Sequence, residues 1–293
     1  MSIPASPASS ATPARLSAAV CDFYLTVSGD VESLAWAGES LAIHFGLDGA
    51  EPGTFEESLV ETNRYLAERA CVGVGTRLLD AGCGIGGSSL WLARERGAHV
   101  TGITLSPHQV ETARRHAALR GTGDGEAAFQ LGDFMNTGFP EASFDVVWNL
   151  ESLCHAHDVG AYLQHAHGLL RDGGRFACLD IFAGAGDPRE LRAMRDGCAF
   201  GELRSAAEVA ALLARAGFVD IEITDVRARA QRSVAVLRNM TEQTLLRLRF
   251  AEALLGEDTR QRQEHAGASL VCADAVLSGA LDYAFIGARR AAR

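Results

Sequence analysis

The sequence predicts an α/β fold built on a seven-stranded, mostly parallel sheet. Between Thr76 and Phe182, apolar runs of strand length alternate with helical patterns, which is typical of parallel strands joined by crossover helices. The first run ends in an acid and a burst of glycines, residues 80–87, and a helical pattern follows at once. After Gly217 come a strand, a long helical stretch and a last strand, which predict an antiparallel pair at one sheet edge.

Apolar periodicity sets the expected elements. The predicted strands are Arg77–Asp80, His99–Thr104, Ala128–Leu131, Phe144–Asn149, Arg175–Ile181, Val219–Asp225 and Asp282–Ala288. The predicted helices include Glu56–Arg69, Ser88–Arg96, Pro107–Arg120, Val159–Leu170, Ala206–Ala216, Val234–Leu255 and Thr259–Leu277. The last two form a helical insertion before the final strand, and we expect it to act as a lid.

The chain is expected to form one domain after a short arm. Residues 1–15 are rich in Ser, Pro and Ala and are predicted to be disordered. Residues 16–70 form a predicted N-terminal helical cap, 71–185 a ligand-binding core, and 186–293 the lid and terminal strand pair. The arm lacks the basic and apolar regions of a secretory signal, and no apolar run reaches membrane-spanning length.

Composition excludes several classes of function. The net charge of −10 argues against binding to nucleic acid. All 27 basic residues are Arg, so lysine Schiff-base chemistry is excluded. The seven cysteines are scattered and lack CxxC spacing, which fits buried thiols in a reducing, cytoplasmic compartment better than disulfides or structural zinc.

The glycine-rich turn predicts a nucleotide-like cofactor. Gly82-x-Gly84-x-x-Gly87 also satisfies the dinucleotide fingerprint, but no Asp or Glu occurs near the end of the second strand, where a dinucleotide enzyme holds its ribose. Asp80 precedes the glycines directly, a position that suits a carboxylate facing a ligand ammonium. The long segment before the first strand is also unusual for a dinucleotide domain.

The run Leu79–Gly87 resembles motif I of class I S-adenosylmethionine-dependent methyltransferases. The run Val100–Gln109 is similar to the branch that contains tocopherol, sterol and isoprenyl diphosphate C-methyltransferases, in which a Thr/Ser/Gln set replaces the acid. Further runs match the family's adenine motif, fourth strand and turn into strand five: Gly132-Asp133-Phe134, Phe144–Val147 and Leu169–Gly174. The resemblance spans residues 20 to 290 and implies the Rossmann-like class I methyltransferase fold.

The resemblance implies how S-adenosylmethionine is bound. Asp80 would face the methionine ammonium, while Gly82 and Gly84 permit close approach. Thr104 and Gln109 would bind the ribose hydroxyls. The remaining implied cofactor contacts are Asp133 and Phe134 at the adenine, with Leu105, Asn149 and Tyr24.

Glu151 is the candidate catalytic residue, because it emerges at the carboxyl edge of strand four among apolar neighbours that favour its neutral form. The run Asn149-x-Glu151-Ser152 resembles isoprenyl diphosphate C-methyltransferases, in which this Glu deprotonates or stabilises the carbocation formed by the alkene. A helix N-cap or a cofactor contact is the alternative role. His155 follows four residues later and is expected to hydrogen-bond Glu151 or the substrate.

Aromatic and basic side chains supply the candidate substrate site. Trp36, Trp148, Phe182 and Phe200 are predicted to hold an apolar acceptor or its cation, with core packing as the alternative. Arg192 belongs to a helical set with Arg189 and Arg195 that suits a diphosphate, and further arginines flank the lid: Arg227, Arg229, Arg232 and Arg238. A Mg²⁺ ion bridging that diphosphate follows from the resemblance. The histidines His155, His157, His165 and His167 do not predict a metal site, since the last two fall on different helix faces.

The expected function is S-adenosylmethionine-dependent C-methylation of an isoprenoid alkene, a prenyl diphosphate in the specific version, with Glu151 as base. Three alternatives stay open: methylation of a phenolic, sterol or amine metabolite; cofactor binding without methyl transfer, as in a cyclase or regulatory module; and an NAD oxidoreductase. Oligomerisation into a homo-oligomer is also left open.

Overall fold

The computed structural model describes residues 12–34, 38, 40–51, 53–187, 194, 195 and 197–292. Helix α1 spans Pro13–Leu34 and therefore begins inside the segment predicted as an arm. Trp36, Arg189 and Arg192, three of the predicted substrate and diphosphate residues, lie outside the described residues.

One seven-stranded sheet organises the described chain, in the order β3-β2-β1-β4-β5-β7-β6. Strands β1 to β5 are parallel, and β7 lies antiparallel between β5 and β6. The strands are β1 (Arg77–Ala81), β2 (His99–Thr104), β3 (Glu126–Leu131), β4 (Phe144–Leu150), β5 (Leu170–Ala183), β6 (Phe218–Asp225) and β7 (Leu281–Arg290). The predicted fold class is confirmed, and the strand order reverses between β1 and β4, where ligands bind in such sheets.

Helices connect the strands and cover both faces of the sheet. They are α2 (Phe55–Arg69), α3 (Gly87–Arg96), α4 (Pro107–Arg120), α5 (Val159–Leu169), α6 (Ala206–Arg215), α7 (Arg227–Leu255) and α8 (Arg260–Ser278). Local capping fixes several starts: Thr54 and Glu57 form a capping box on α2, and Ser106 caps α4 ahead of Pro107.

Two elements begin five or more residues before their predicted starts. Helix α7 begins at Arg227 rather than Val234, because its Arg-rich first turns show no apolar periodicity although they are helical. Strand β5 begins at Leu170 and includes the Arg171–Gly174 turn, where the register against β4 shifts. The cysteines are free, and Cys71 is exposed, contrary to the expectation of buried thiols throughout.

The core lies on both faces of the sheet. Leu66 of α2, Val234 of α7 and Val276 of α8 pack on one face, and Leu163 of α5 and Leu213 of α6 on the other. Helix α1 reaches both the cofactor side and the lid: the Cys21 thiol donates to the Leu105 carbonyl at 3.4 Å, and Phe23 packs edge-on against His265 of α8 at 5.3 Å. Cap and lid thus meet over the carboxyl edge of the sheet. No described helix is long and apolar enough to cross a bilayer.

Candidate active site

A cavity opens at the carboxyl ends of β1, β2 and β4, and we call it the outer cavity. Asp80 lies in its wall, buried, with its Oδ2 accepting a hydrogen bond from the Ser89 hydroxyl at 2.6 Å. Burial raises the pKa of Asp80 to about 6, and the Ser89 bond partly offsets that rise. A carboxyl group held in this way is stabilised as an anion by a ligand cation, which a methionine ammonium supplies.

The two glycines beside Asp80 serve different physical needs. Gly82 has φ +100°, and a Cβ there would lie 2.5 Å from the Ser152 Cβ, so the chain after β4 leaves no room for a side chain. Gly84 has φ +53°, and its Cβ would meet only Ile43 Cδ1 at 3.9 Å. Both line the outer cavity, and at Gly84 the missing side chain leaves open space toward a ligand.

Thr104 and Gln109 come together as one polar unit at the end of β2. The Thr104 hydroxyl donates to Gln109 Oε1 at 2.6 Å, and Ser106, the cap of α4, returns its N–H to Thr104 Oγ1 at 3.2 Å. The side chains of Thr104 and Gln109 are buried, and both residues line the outer cavity together with Leu105. The arrangement offers neutral hydrogen-bonding groups where a dinucleotide site would offer a carboxylate.

Asp133 and Phe134 line the same cavity at the end of β3. Asp133 Oδ1 accepts the backbone N–H of Met135 at 2.8 Å, which fixes the turn. Phe134 packs against Tyr162 with the ring centroids 4.8 Å apart. The residues predicted for the adenine, ribose and methionine ends therefore lie along one cavity.

A second cavity, the inner cavity, lies between α1, β5 and the lid helices α7 and α8. Its wall is mainly apolar and aromatic and includes Phe23, Phe45, Cys154, Ile181, Phe200 and Met240. Among the described residues, four line both cavities, and we call this set the junction: Tyr24, Ile43, His44 and Glu151. A group that passes from one cavity to the other must pass these side chains.

Glu151 is fixed at the junction by two donors from distant parts of the chain. Its Oε1 accepts the Phe45 backbone N–H at 2.7 Å and the Tyr283 hydroxyl at 2.8 Å. Burial raises the pKa of Glu151 to about 8; these two bonds oppose the rise, and nearby Asp180 adds to it. Glu151 also has φ +49°, a strained conformation for a residue with a side chain, and such strain concentrates at functional sites.

His155 lines the outer cavity, but its described partners are not the expected ones. Its Nδ1 lies 2.9 Å from the Ala199 carbonyl and must carry the proton, so Nε2 accepts from the Tyr24 hydroxyl at 2.9 Å. Burial lowers the pKa of His155 to about 4, which keeps the ring neutral. His155 thus bonds Tyr24 rather than Glu151, which was one of its two expected partners. Through this bond His155 positions Tyr24 at the junction.

Three predicted site residues line neither cavity. Asn149 lines neither cavity: its amide donates to the Ala81 carbonyl and to Ser152 Oγ, and it accepts from the Tyr162 hydroxyl. Trp148 is fully buried in the core beneath the cap and lid rather than in the substrate site. Phe182 packs in the core on the opposite face, because its neighbour Ile181 takes the cavity-facing position of β5.

Three of the predicted arginines bind carboxylates. Arg232 binds Asp48 at 2.5 Å, and Arg229 binds Glu61 at 3.1 Å. Arg238, which lines the inner cavity, binds Asp274 at 2.5 Å. No group of three or more metal-ligating side chains occurs in the part of the chain that the structure describes.

The sequence does not single out the junction residue His44, or the two residues that hydrogen-bond Glu151, Phe45 and Tyr283. Phe45 acts through its backbone N–H, which no residue type signals. Tyr283 lies in an apolar strand and resembles any core aromatic until its hydroxyl is placed against Glu151. Nothing in the sequence around His44 marks its Nε2, which is buried without a hydrogen-bond partner among the described residues.

Comparison with known proteins identifies the family. A family model described as a methyltransferase domain matches residues 79–178. The O-methyltransferase rstn1 of Aspergillus nomiae is 35% identical over 189 residues, which make up 63% of this chain and 84% of that protein. The chain belongs to the S-adenosylmethionine-dependent methyltransferases. This identification excludes the NAD oxidoreductase that the glycine motif had left open.

Solved structures agree with the methyltransferase fold. The [4+2]-cyclase SpnF has a TM-score of 0.76 and 25% identity, with 94% of this chain and 96% of that one covered. A geranyl diphosphate C-methyltransferase from Streptomyces coelicolor A3(2), solved with Mg²⁺, geranyl diphosphate and S-adenosyl-L-homocysteine, has a TM-score of 0.69. It is 18% identical, with 98% and 100% covered, so this likeness concerns the fold.

The outer cavity of the methyltransferase fits its cofactor. Asp80 offers a buried carboxyl group without a described cation partner, and Gly84 offers space against the backbone. Thr104 and Gln109 provide neutral hydrogen-bonding groups suited to hydroxyls. When bound, S-adenosylmethionine supplies a methyl group already activated by its sulfonium.

Proposed function

We propose that this methyltransferase methylates an alkene carbon of an isoprenoid acceptor held in the inner cavity. The observation that carries the proposal is the position of Glu151, a half-buried residue whose carboxyl group lies at the junction of the cofactor cavity with an apolar, aromatic cavity. In-line transfer needs the acceptor to be aligned and water to be excluded. Closure by α1 and the lid helices supports both.

Glu151 would handle the charge that the reaction creates. An alkene that takes a methyl group becomes a carbocation, and a proton must then leave an adjacent carbon to restore the double bond. The hydrogen bonds from Phe45 and Tyr283 hold the carboxyl group at the junction. Positive charge on the donor and on the acceptor favours the carboxylate form, which lowers its pKa from about 8 and makes Glu151 a proton acceptor when it is needed.

The specific version of the proposal has a prenyl diphosphate as acceptor. Arg238 and Arg262 line the inner cavity on the lid helices and would face the charged head group, while Phe200 and Phe23 would contact the hydrocarbon. The ion pair of Arg238 with Asp274 would have to rearrange. Magnesium has no protein-built site of three or more ligands among the described residues, so it would arrive with the diphosphate, and no step is assigned to it.

O-methylation of a hydroxylated metabolite is a second candidate, favoured by the similarity to the O-methyltransferase rstn1. The same junction would serve it, because a carboxylate or an imidazole at the donor side can take the hydroxyl proton. Because the chain also resembles the structure of a [4+2]-cyclase, the experiment must distinguish methyl transfer from cofactor binding without methyl transfer.

The test is a screen with methyl-labelled S-adenosylmethionine against geranyl diphosphate, geraniol, a sterol and a phenol, with and without Mg²⁺. We expect a labelled C-methyl product from an isoprenoid and a large loss of turnover in Glu151→Gln. Glu141→Gln, at an exposed turn residue, is the matched control. A labelled methyl ether of the phenol as the only product would favour O-methylation, the second candidate. Cofactor binding without any labelled product would overturn methyl transfer, and full turnover by Glu151→Gln would remove Glu151 from the mechanism.

A further inference from the structure

His44 is a junction side chain to which the proposed C-methylation assigns no role. It precedes Phe45 in the loop between α1 and α2, lines both cavities and is only 7% exposed. It therefore lies where the acceptor must approach the methyl donor.

The two ring nitrogens of His44 have different surroundings. Nδ1 lies 2.9 Å from the Phe45 carbonyl, and since a carbonyl only accepts, Nδ1 carries the hydrogen. Burial lowers the pKa of His44 to about 4, so the ring is neutral and Nε2 presents a lone pair. This Nε2 is buried without a hydrogen-bond partner among the described residues, an arrangement that costs stability unless a ligand completes it.

The loop that carries His44 is held rigidly. Phe45 donates its N–H to Glu151 and accepts the Thr62 hydroxyl at its carbonyl at 3.0 Å. Gly46 donates its N–H to the Ser233 hydroxyl of α7 at 2.6 Å. The imidazole is thus preorganised, and both nitrogens of the other buried histidine nearby, His155, are already partnered.

We propose that the acceptor carries a hydroxyl group beside, or at, the atom that is methylated, and that this hydroxyl donates its hydrogen bond to Nε2 of His44. The proposal rests on the proposed transfer across the junction and names the acceptor class: an alcohol or phenol with an apolar body. A hydrocarbon, an ether or a simple prenyl ester cannot donate, so it would leave the lone pair buried and unpaired. A prenyl diphosphate meets this requirement only if it bears a separate hydroxyl.

The test compares pairs of acceptors in which one oxygen carries either a hydrogen or a methyl group. The probes are geraniol against geranyl methyl ether, and 2-naphthol against 2-methoxynaphthalene, titrated by calorimetry into the protein saturated with S-adenosyl-L-homocysteine. We expect at least one alcohol to bind about tenfold or more tightly than its ether. That ratio should fall to about one in His44→Phe and be kept in part in His44→Gln, whose amide oxygen can still accept.

His265 provides the matched variant, because it is another imidazole of the inner cavity, outside the junction, with its Nδ1 unpartnered in the described structure. His265→Phe should leave the alcohol-to-ether ratio unchanged even if both ligands bind less tightly. Affinity for S-adenosyl-L-homocysteine and the melting temperature report whether each variant is folded.

The proposal is overturned if neither alcohol is preferred over its ether, or if His265→Phe rather than His44→Phe abolishes the preference. Labelled-methyl turnover is measured separately. A His44-dependent preference without methyl transfer would leave this inference standing and overturn the proposed function. Methyl transfer without the preference would overturn this inference and leave the proposed function standing.

Discussion

Replacing Glu151 with Gln should make the protein more stable, and the gain should grow with pH. Gln keeps an oxygen that accepts from Phe45 and Tyr283, but it has no proton to lose. The pKa of Glu151 is about 8 in the folded protein against an ordinary value of 4.5, so between these values the folded state holds a proton that the unfolded chain has released. The stability contributed by protonated Glu151 is therefore complete below pH 4.5 and is lost as pH rises through 8.

The size of the effect follows from that difference in pKa. Each pH unit within the window changes the stability by about 1.4 kcal/mol, so two units, from pH 5.5 to 7.5, correspond to about 2.7 kcal/mol. Glu151 is partly exposed to the cavities, and water there reduces the expected change to roughly 1–2 kcal/mol. Buried Asp80 and Asp180 also titrate with raised pKa values, but they are present in both proteins and largely cancel in the comparison.

The assay is urea unfolding of wild type and Glu151→Gln at several pH values, without cofactor. The quantity of interest is the unfolding free energy of the variant minus that of wild type. Glu141→Gln, exposed in a turn, should give a flat difference. A flat line for Glu151→Gln as well, or a difference that shrinks as pH rises, would refute the burial and raised pKa of this carboxyl group.

Three further predictions test the site geometry with five substitutions. Asp80→Asn should weaken binding of S-adenosyl-L-homocysteine by tenfold or more in calorimetry, since it removes the anion that we expect to face the ligand ammonium (a charge-assisted bond is worth about 1.5–3 kcal/mol). Gly82→Ala should lower the melting temperature far more than Gly84→Ala, because only the first Cβ collides with the chain; similar shifts would contradict the local packing. Phe200→Leu should raise KM for the acceptor while Phe182→Leu should lower only the melting temperature, and a KM effect at Phe182 would restore it to the substrate site.

The cofactor side could be predicted from sequence because its contacts are local. Thr104 and Gln109 are five residues apart across one strand end and one helix start, and Asp80 precedes Gly82 in a single turn. Residues this close in sequence within one strand, turn and helix take fixed relative positions that do not depend on the rest of the fold. The residues that the glycine motif and its neighbours suggested accordingly line one cavity.

The predicted site residues that line neither cavity are strand residues, where adjacent positions face opposite ways. Ile181 lines the inner cavity while Phe182 packs on the far face of the sheet. Trp148 is buried in the core beneath the cap and lid, and Asn149, predicted as a cofactor contact, accepts a hydrogen bond from the Tyr162 hydroxyl. Aromatic character and nearness to Glu151 in sequence do not settle which face a strand side chain takes.

The junction itself depends on contacts that no local pattern contains. Glu151 receives one hydrogen bond from a backbone N–H 106 positions away and another from Tyr283, 132 positions away on the last strand. The first donor is the N–H of Phe45, and the carbonyl of the same residue accepts a hydrogen bond from Nδ1 of His44. One short loop therefore fixes the Glu151 carboxyl group and orients the neutral His44 imidazole. Since a single backbone segment sets both groups, a substitution that shifts this loop, such as Thr62→Val at its carbonyl support, should perturb acidity at Glu151 and hydroxyl selection at His44 together. Independent responses of the two groups would show that the loop is not the element that links them.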